Sequence, residues 1–308
     1  MESTPSVANL DPIIALAKRR GFIFPSSEIY GGLASCYDYG PLGAELKRNV
    51  KDAWWRAMVH RRDDIVGIDA SIMMHPKVWE ASGHVAGFTD PLIECSQCKL
   101  RIRADHVDDA PKACNANKGG PHNFGEPRMF NLMFKTHLGP VEDSASIVYL
   151  RPETAQGIFV NFGNVVDSTR VKIPFGVAQQ GKSFRNEITT RRFTFRTCEF
   201  EQMEMEFFCE PGSDEQWFEY WKNERMNWFL NLGVNPGRLR LRAHAADERA
   251  HYAKDAWDIE YNMPGVGWKE AWGIHHRGDW DLRRHSEFSG VDLSYYDEAT
   301  KERFIPWD

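Results

Sequence analysis

Hydrophobic and polar positions alternate with period two in several stretches of this chain and recur with the helical period in others. Val177–Glu187 and Cys198–Phe208 both alternate, so each predicts a strand whose successive side chains point to opposite faces. Gln179, Gly181, Ser183, Arg185 and Glu187 then share a face of the first strand. Phe200, Gln202, Glu204 and Glu206 share a face of the second. ITTRRFTFR, with three arginines, joins them, so the pattern predicts a hairpin with a long basic loop. One patch would carry Arg185, Glu187, Gln202 and Glu204 above small residues that leave room for a ligand. A wetted polar face with Arg185 paired to Glu187 or Glu206 is the plain alternative. Phe200 and Phe208 beside the carboxylates argue against it.

Helical spacing marks three further segments. Asp11-Pro12 predicts a helix start, with Lys18–Arg20 in its last turn and Gly21 as its stop. Gly43–Val59 places Leu46, Val50, Trp54 and Met58 on one stripe. Asp214–Leu232 offers Trp217, Tyr220, Trp221 and Trp228 for packing. Residues 141–166 pass from strand to helix near Thr154, and 251–285 predict two strands leading into a helix. Without regular βαβ alternation, the fold class expected is α+β: a mainly antiparallel sheet flanked by helices. Residues 1–10 read as a disordered leader, 11–94 and 127–308 as the main domain, and 95–126 as an insertion of different composition.

The 308 residues suffice for a substantial core, and 42% hydrophobic with 27% charged residues suits a globular chain. A net charge of −6 argues against indiscriminate coating of nucleic acid. No apolar run approaches a membrane span and no signal peptide is evident, so a cytoplasmic location is expected. Six cysteines are too few for a disulfide scaffold. Cys95-x2-Cys98 instead reads as half of a zinc ribbon, completed by Cys114 and either His122 or His106. A decayed ribbon with free thiols is the alternative.

FRNE, a loop and then FR-TCEFEQMEMEFF, preceded by RPETAQG at 151–157, resemble motif 2 and its surroundings in class II aminoacyl-tRNA synthetases, in the form found in glycyl-tRNA synthetases. SSEIYGG, YDYGPLG and the helix after them resemble the motif 1 region, and GWKEAWGIHHRGDWDLRRH resembles a later block. The resemblance runs from about Leu16 to Asp308. It implies the class II fold, a homodimer through the motif 1 region, ATP with Mg²⁺, and glycine and tRNA(Gly) as partners, with no membrane. Where that family continues into motif 3 and an anticodon-binding domain, this chain stops at FIPWD. The expectation is a truncated catalytic core whose own activity is doubtful.

Amino-acid activation brings a carboxylate onto the α-phosphate of ATP, so two anions must be screened by arginine and Mg²⁺. By resemblance, Arg185 would hold the α-phosphate, with Asn186 and Glu187 on the nucleotide side. Phe195, Arg196, Thr197, Cys198, Glu199 and Phe200 would flank the nucleotide, Glu270 and Ala271 would serve ATP and its metal, and Arg277 would serve the triphosphate or adenylate. The catalytic set is Arg185, Glu187 and Arg277. Glycine has no side chain to grip, so a site must hold its ammonium and carboxylate and exclude anything larger. The resemblance assigns this to Arg103, Glu153, Phe200, Glu201, Gln202, Met203 and Glu204. Two rival readings are a synthetase-like binding protein without chemistry and a ligase that loads glycine onto another acceptor. The first usually lacks the motif 2 arginine and acidic site retained here.

Overall fold

Asp11 and Pro12 open a helix as the sequence predicts. In the computed structural model, α1 (Asp11–Arg19) ends before Gly21, whose φ of +72° suits a residue without Cβ. The structure describes residues 10–111, 114–117, 120–188, 193–245, 248–249 and 253–308. The expected leader therefore lies outside the described residues except for Leu10, whose carbonyl already accepts from the amide of Ile14.

A ribbon of β1 (Ile23–Pro25) and β2 (Tyr37–Tyr39) leads into α2 (Pro41–Trp55), with proline in its first turn. The predicted stripe divides. Trp54 and Met58 are fully buried, whereas Leu46 is 54% exposed and Val50 36%. The helix ends in a π turn at Arg56–His60, from which the chain enters β3 (Ile65–Ile68). Next come β4 (Met73–Met74), α3 (Pro76–Ala81), α4 (His84–Gly87), β5 (Thr89–Glu94), β6 (Arg101–Arg103), β7 (Arg128–Asn131), β8 (Lys135–His137) and β9 (Ile147–Leu150). β5 pairs with both β6 and β7, so the insertion is tied to the main domain through one small sheet.

After α5 (Ala155–Phe159) and α6 (Phe162–Thr169), the predicted hairpin appears as β10 (Phe175–Phe184) and β11 (Glu199–Phe208). β10 stops before the predicted Glu187 because its partners change. The amide of Arg185 still bonds Cys198, but that of Asn186 turns to Leu132. The Thr189–Arg192 part of the predicted basic loop lies outside the described residues. β3 runs parallel to β10, an exception in a set of otherwise antiparallel pairs. α7 (Asp214–Asn231) precedes the meander β12 (Leu239–Ala243), β13 (Asp255–Met263) and β14 (Gly267–His276), then α8 (Trp280–Ser289) and the short pair β15 (Tyr295–Tyr296) and β16 (Arg303–Phe304).

Two apolar layers sandwich the β3–β10–β11 sheet. Phe159, Phe162, Phe175 and Phe208 pack on the side of α5 and α6. Trp54, Met58, Phe207, Trp221 and Trp228 pack on the side of α2 and α7. Truncating one such ring, as in Phe208→Ala, removes about 3–5 kcal/mol. The sheet is thus fixed on both faces, and side-chain alternation decides what reaches the site.

Candidate active site

The register of β10 and β11 sets the polar face. Gln179 lies opposite Glu204, Gly181 opposite Gln202, and Ser183 opposite Phe200. Thr154 binds this face at three points. Its amide donates to Oε1 of Gln202 (3.2 Å), its hydroxyl to Glu204, and its carbonyl accepts from Nε2 of Gln179 (3.0 Å). The start of α5 is therefore pinned to the sheet, and Glu153 is held over it.

The room expected above Gly181 is filled. Arg151 lies there, its Nε donating to the Lys182 carbonyl (2.7 Å) and Nη1 to the Ala70 carbonyl (2.8 Å). A Cβ at Gly181 would come 2.1 Å from Nη2 of Arg151. The open space instead lies between β11 and β14, a cavity of about 770 Å³, within the range of small-molecule sites. Glu153, Arg185, Glu201, Gln202, Met203, Glu204, Glu270, Ala271 and Arg277 all line it, bringing nine of the sequence-derived residues together.

One end is a buried charge cluster. Nε of Arg277 donates to Oδ2 of Asp281 (2.7 Å) and Nη2 to Oδ1 (3.0 Å), and its guanidinium lies over Phe159. Burial pushes the Glu204 carboxyl up to about 8, helped by Glu206 and Glu153. Burial, then the nearby Asp308, raises Glu206 well above the ordinary carboxylate range. Glu153 behaves oppositely. Burial opposes its ionisation, but His84, with Nε2 at 3.4 Å, and then Arg277 hold its carboxyl well below the usual value. Two buried carboxyls favour a proton here in the absence of a cation, while a third is held ionised.

The other end is looser. Arg185 donates from Nε to the Pro152 carbonyl (3.0 Å), and its guanidinium faces the rings of Phe88 (5.4 Å) and Phe200 (5.2 Å). Glu270 reaches the cavity but is walled in enough that burial, then Asp258, raises its carboxyl, while Arg185 pulls it down. Glu187 sits 3.5 Å from Nη1 of Arg196, and Phe195 is half-exposed. The Thr197 hydroxyl bonds the Glu199 carbonyl, and the Cys198 amide bonds Ser35.

Several assigned residues face elsewhere. The Glu201 carboxylate is on the opposite side of β11, bound to Lys47 (2.7 Å) and Lys51. Met203 packs into the α2–α7 core, Glu199 pairs with Lys182, and Arg103 is held by Asp90 (2.9 Å) and Asp105 (2.6 Å) outside the cavity. Asn186 lies where its amide donates to the Leu132 carbonyl. Conversely, Glu206 lines the cavity, although the resemblance assigns it no role in the site. The alternation that selected Glu204 already placed Glu206 on the same face.

In the insertion, Cys95, Cys98, Cys114 and His122 bring their ligand atoms within 4.8 Å of one another. The side chain of His106, the other candidate, lies outside the described set. Sγ of Cys95 is 3.9 Å from that of Cys114, and Sγ of Cys98 is 3.4 Å from Nδ1 of His122. Tetrahedral zinc bonded at about 2.3 Å to sulfur and about 2.0–2.1 Å to nitrogen separates such pairs by about 3.8 and 3.5 Å. The amide of Cys98, then that of Gln97, points at Cys95 and draws its thiol down to about 5. The donor set fits zinc.

A mainly antiparallel sheet whose central hairpin sets an arginine beside an acidic cavity is the frame of a class II synthetase core. The family model "tRNA synthetase class II core domain (G, H, P, S and T)" matches residues 134–305. The solved prolyl-tRNA synthetase of Cryptosporidium parvum, complexed with L-proline and AMP, shares the fold with a TM-score of 0.65. It is 14% identical, and the match covers 99% of this chain and 51% of that one. The chain belongs, within that class, to the glycine–tRNA ligase family. It is 55% identical to the glycine–tRNA ligase of Treponema denticola over 97% of its length and 66% of that protein's. It is 56% identical to that of Borreliella burgdorferi strain ZS7 (98% and 68%), and 53% to that of Acetivibrio thermocellus (97% and 70%). The chain thus spans about two thirds of these curated relatives.

Proposed function

We propose that this chain forms the core that activates glycine with ATP to glycyl-adenylate, for transfer to tRNA(Gly). One observation carries this reading: Glu153, Glu204 and Glu206 line the same cavity as Arg277, whose charge acts on all three. The carboxylates suit an ammonium, and Arg277, which the resemblance gives to the triphosphate or adenylate, here suits the substrate carboxylate, the two charges that glycine presents. Arg185, bonded to the Pro152 carbonyl next to Glu153, then holds the α-phosphate within reach of the glycine carboxylate, and Phe88 and Phe200 set its plane. Glu270 is the carboxylate best placed for Mg²⁺, which when bound would screen the phosphate charge. The relatives' name favours this reading over a non-catalytic module or a different acceptor. Radiolabelled glycine charging of tRNA(Gly) by the full-length protein tests it: charging with glycine and not alanine is expected, and failure under conditions where a relative charges would refute it.

Two further assignments rest on the chain's own residues. Zinc in the Cys95–Cys98–Cys114–His122 cluster would hold the insertion together, giving about one equivalent per chain. The exposed Ile29 (88%), Tyr30 (87%), Leu42 and Leu46 fit a face that a second copy covers. Sedimentation of Leu46→Glu as a monomer against a parental dimer would support that interface, and a monomeric parent would refute it. Among the described residues no helix is long and apolar enough to cross a membrane, and the kinship with glycine–tRNA ligases supports a cytoplasmic location.

A further inference from the structure

Gln156 is completely buried, yet it is the polar junction between the two charged sides of the glycine-facing end. Its amide nitrogen donates to Oε1 of Glu153 (3.0 Å) and to Oδ1 of Asp281 (2.9 Å). Asp281 in turn grips Arg277 through both carboxylate oxygens. A primary amide has two N–H donors, and here each meets a different carboxylate. Turned over, the amide would set its oxygen against two carboxylates, so chemistry fixes its orientation.

Behind it, Nε2 of His285 lies 2.7 Å from Oε1 of Gln156. An amide oxygen only accepts, so Nε2 of His285 must carry the proton. His285 is 5% exposed, and burial lowers its pKa, which favours a neutral ring. A neutral ring with hydrogen on Nε2 holds Gln156 in its one useful orientation without adding charge beside Glu153.

We propose that Gln156, oriented by His285, is a positioning residue that couples the ammonium-binding carboxylate Glu153 to the carboxylate-binding Arg277 and so fixes their separation for an α-amino acid with one carbon between its charges. Neither residue touches the substrate. The sequence Glu153–Gln156–Asp281–Arg277 joins α5 to α8, so displacing either helix would move one grip relative to the other. This inference rests on the glycine reading of the cavity, but its geometry can be tested without that reading.

Two measurements on the full-length protein decide it. In glycine-dependent pyrophosphate exchange, Gln156→Leu should raise KM for glycine by about ten- to a hundredfold, the loss of charge-assisted hydrogen bonds. KM for ATP should stay within about twofold, because those contacts are separate. His285→Ala should show the same split more weakly, and His285→Asn, whose amide can still donate, should recover part of it. An equal rise in both KM values, or no rescue by asparagine, would mean a merely structural role. Independently, ¹⁵N NMR should find His285 neutral with its proton on Nε2, and Gln156→Leu should perturb that signature. A proton on Nδ1 alone would overturn the proposal even if the enzyme activates glycine. With the expected tautomer, loss of all glycine-dependent exchange in the parent protein would instead refute the glycine reading, and with it the role proposed for the bridge.

Discussion

The two ends of the cavity are built on different terms. At the Arg277 end, Gln156 bonds both Glu153 and Asp281, Asp281 holds Arg277, and the buried carboxyls of Glu204, bonded to Thr154, and Glu206 lie close by. At the Arg185 end, a guanidinium lies between two rings and donates to the Pro152 carbonyl, and Glu187 and Arg196 pair nearby. The contrast follows from the ligands proposed for them. ATP presents a base, a sugar and three phosphates, so many modest contacts suffice. Glycine presents two charges, and selectivity must come from groups already fixed in place.

The largest break should come at the buried end. Arg277→Ala leaves Asp281 without its bidentate partner among several other carboxyls. Removing one member of a buried pair costs about 3–5 kcal/mol, so the denaturation midpoint should fall and glycine activation should be lost together. Retained stability would show that this end is not a coupled unit. Arg185→Ala should act more locally, weakening ATP by about 1.5–3 kcal/mol, roughly ten- to a hundredfold, through one charge-assisted contact. ATP titration calorimetry checks this, and equal weakening of glycine would erase the distinction between the ends.

Proton uptake sharpens the comparison further. The Glu204 carboxyl, raised to about 8, keeps its proton in the folded chain over a range where an unfolded glutamate has lost it. The stability from that proton is complete below the ordinary carboxylate pKa and disappears as pH rises through about 8. An ammonium prefers the carboxylate, so glycine binding near pH 6–7 should release about one proton, and Glu204→Gln should abolish the release. Calorimetry in buffers of different ionisation enthalpy measures it; identical heats in all buffers would contradict the assignment. The smallest effect on activity belongs to the insertion. Cys98→Ser should remove the bound zinc, read by metal analysis, while the main transition of the core stays in place.

Much of this site was legible because a strand has a strict period. The same alternation that set Gln202 and Glu204 facing Thr154 also placed Glu206 on that face, although the resemblance gives Glu206 no role. Glu201 and Arg103 show the limit of reading by motif. What captures Glu201 is Lys47 and Lys51, far away in sequence, and what captures Arg103 is Asp90 across the small sheet and Asp105 beside it. Arg151 filling the space above Gly181, and Gln156 meeting α8, are likewise tertiary facts that no local pattern encodes. The α2 stripe was read correctly as helical, but its period could not say that Leu46 would stay exposed while Trp54 was buried.

Glycine-dependent exchange of pyrophosphate into ATP by the full-length protein, run side by side with alanine, tests the central claim most directly. A fixed, side-chain-free grip predicts brisk exchange with glycine and, because one added methyl must be excluded sterically, exchange with alanine lower by more than about a hundredfold. Comparable rates with the two amino acids would contradict a preformed glycine end, and the roles given to Glu204, Glu153 and Arg277 would fall with it.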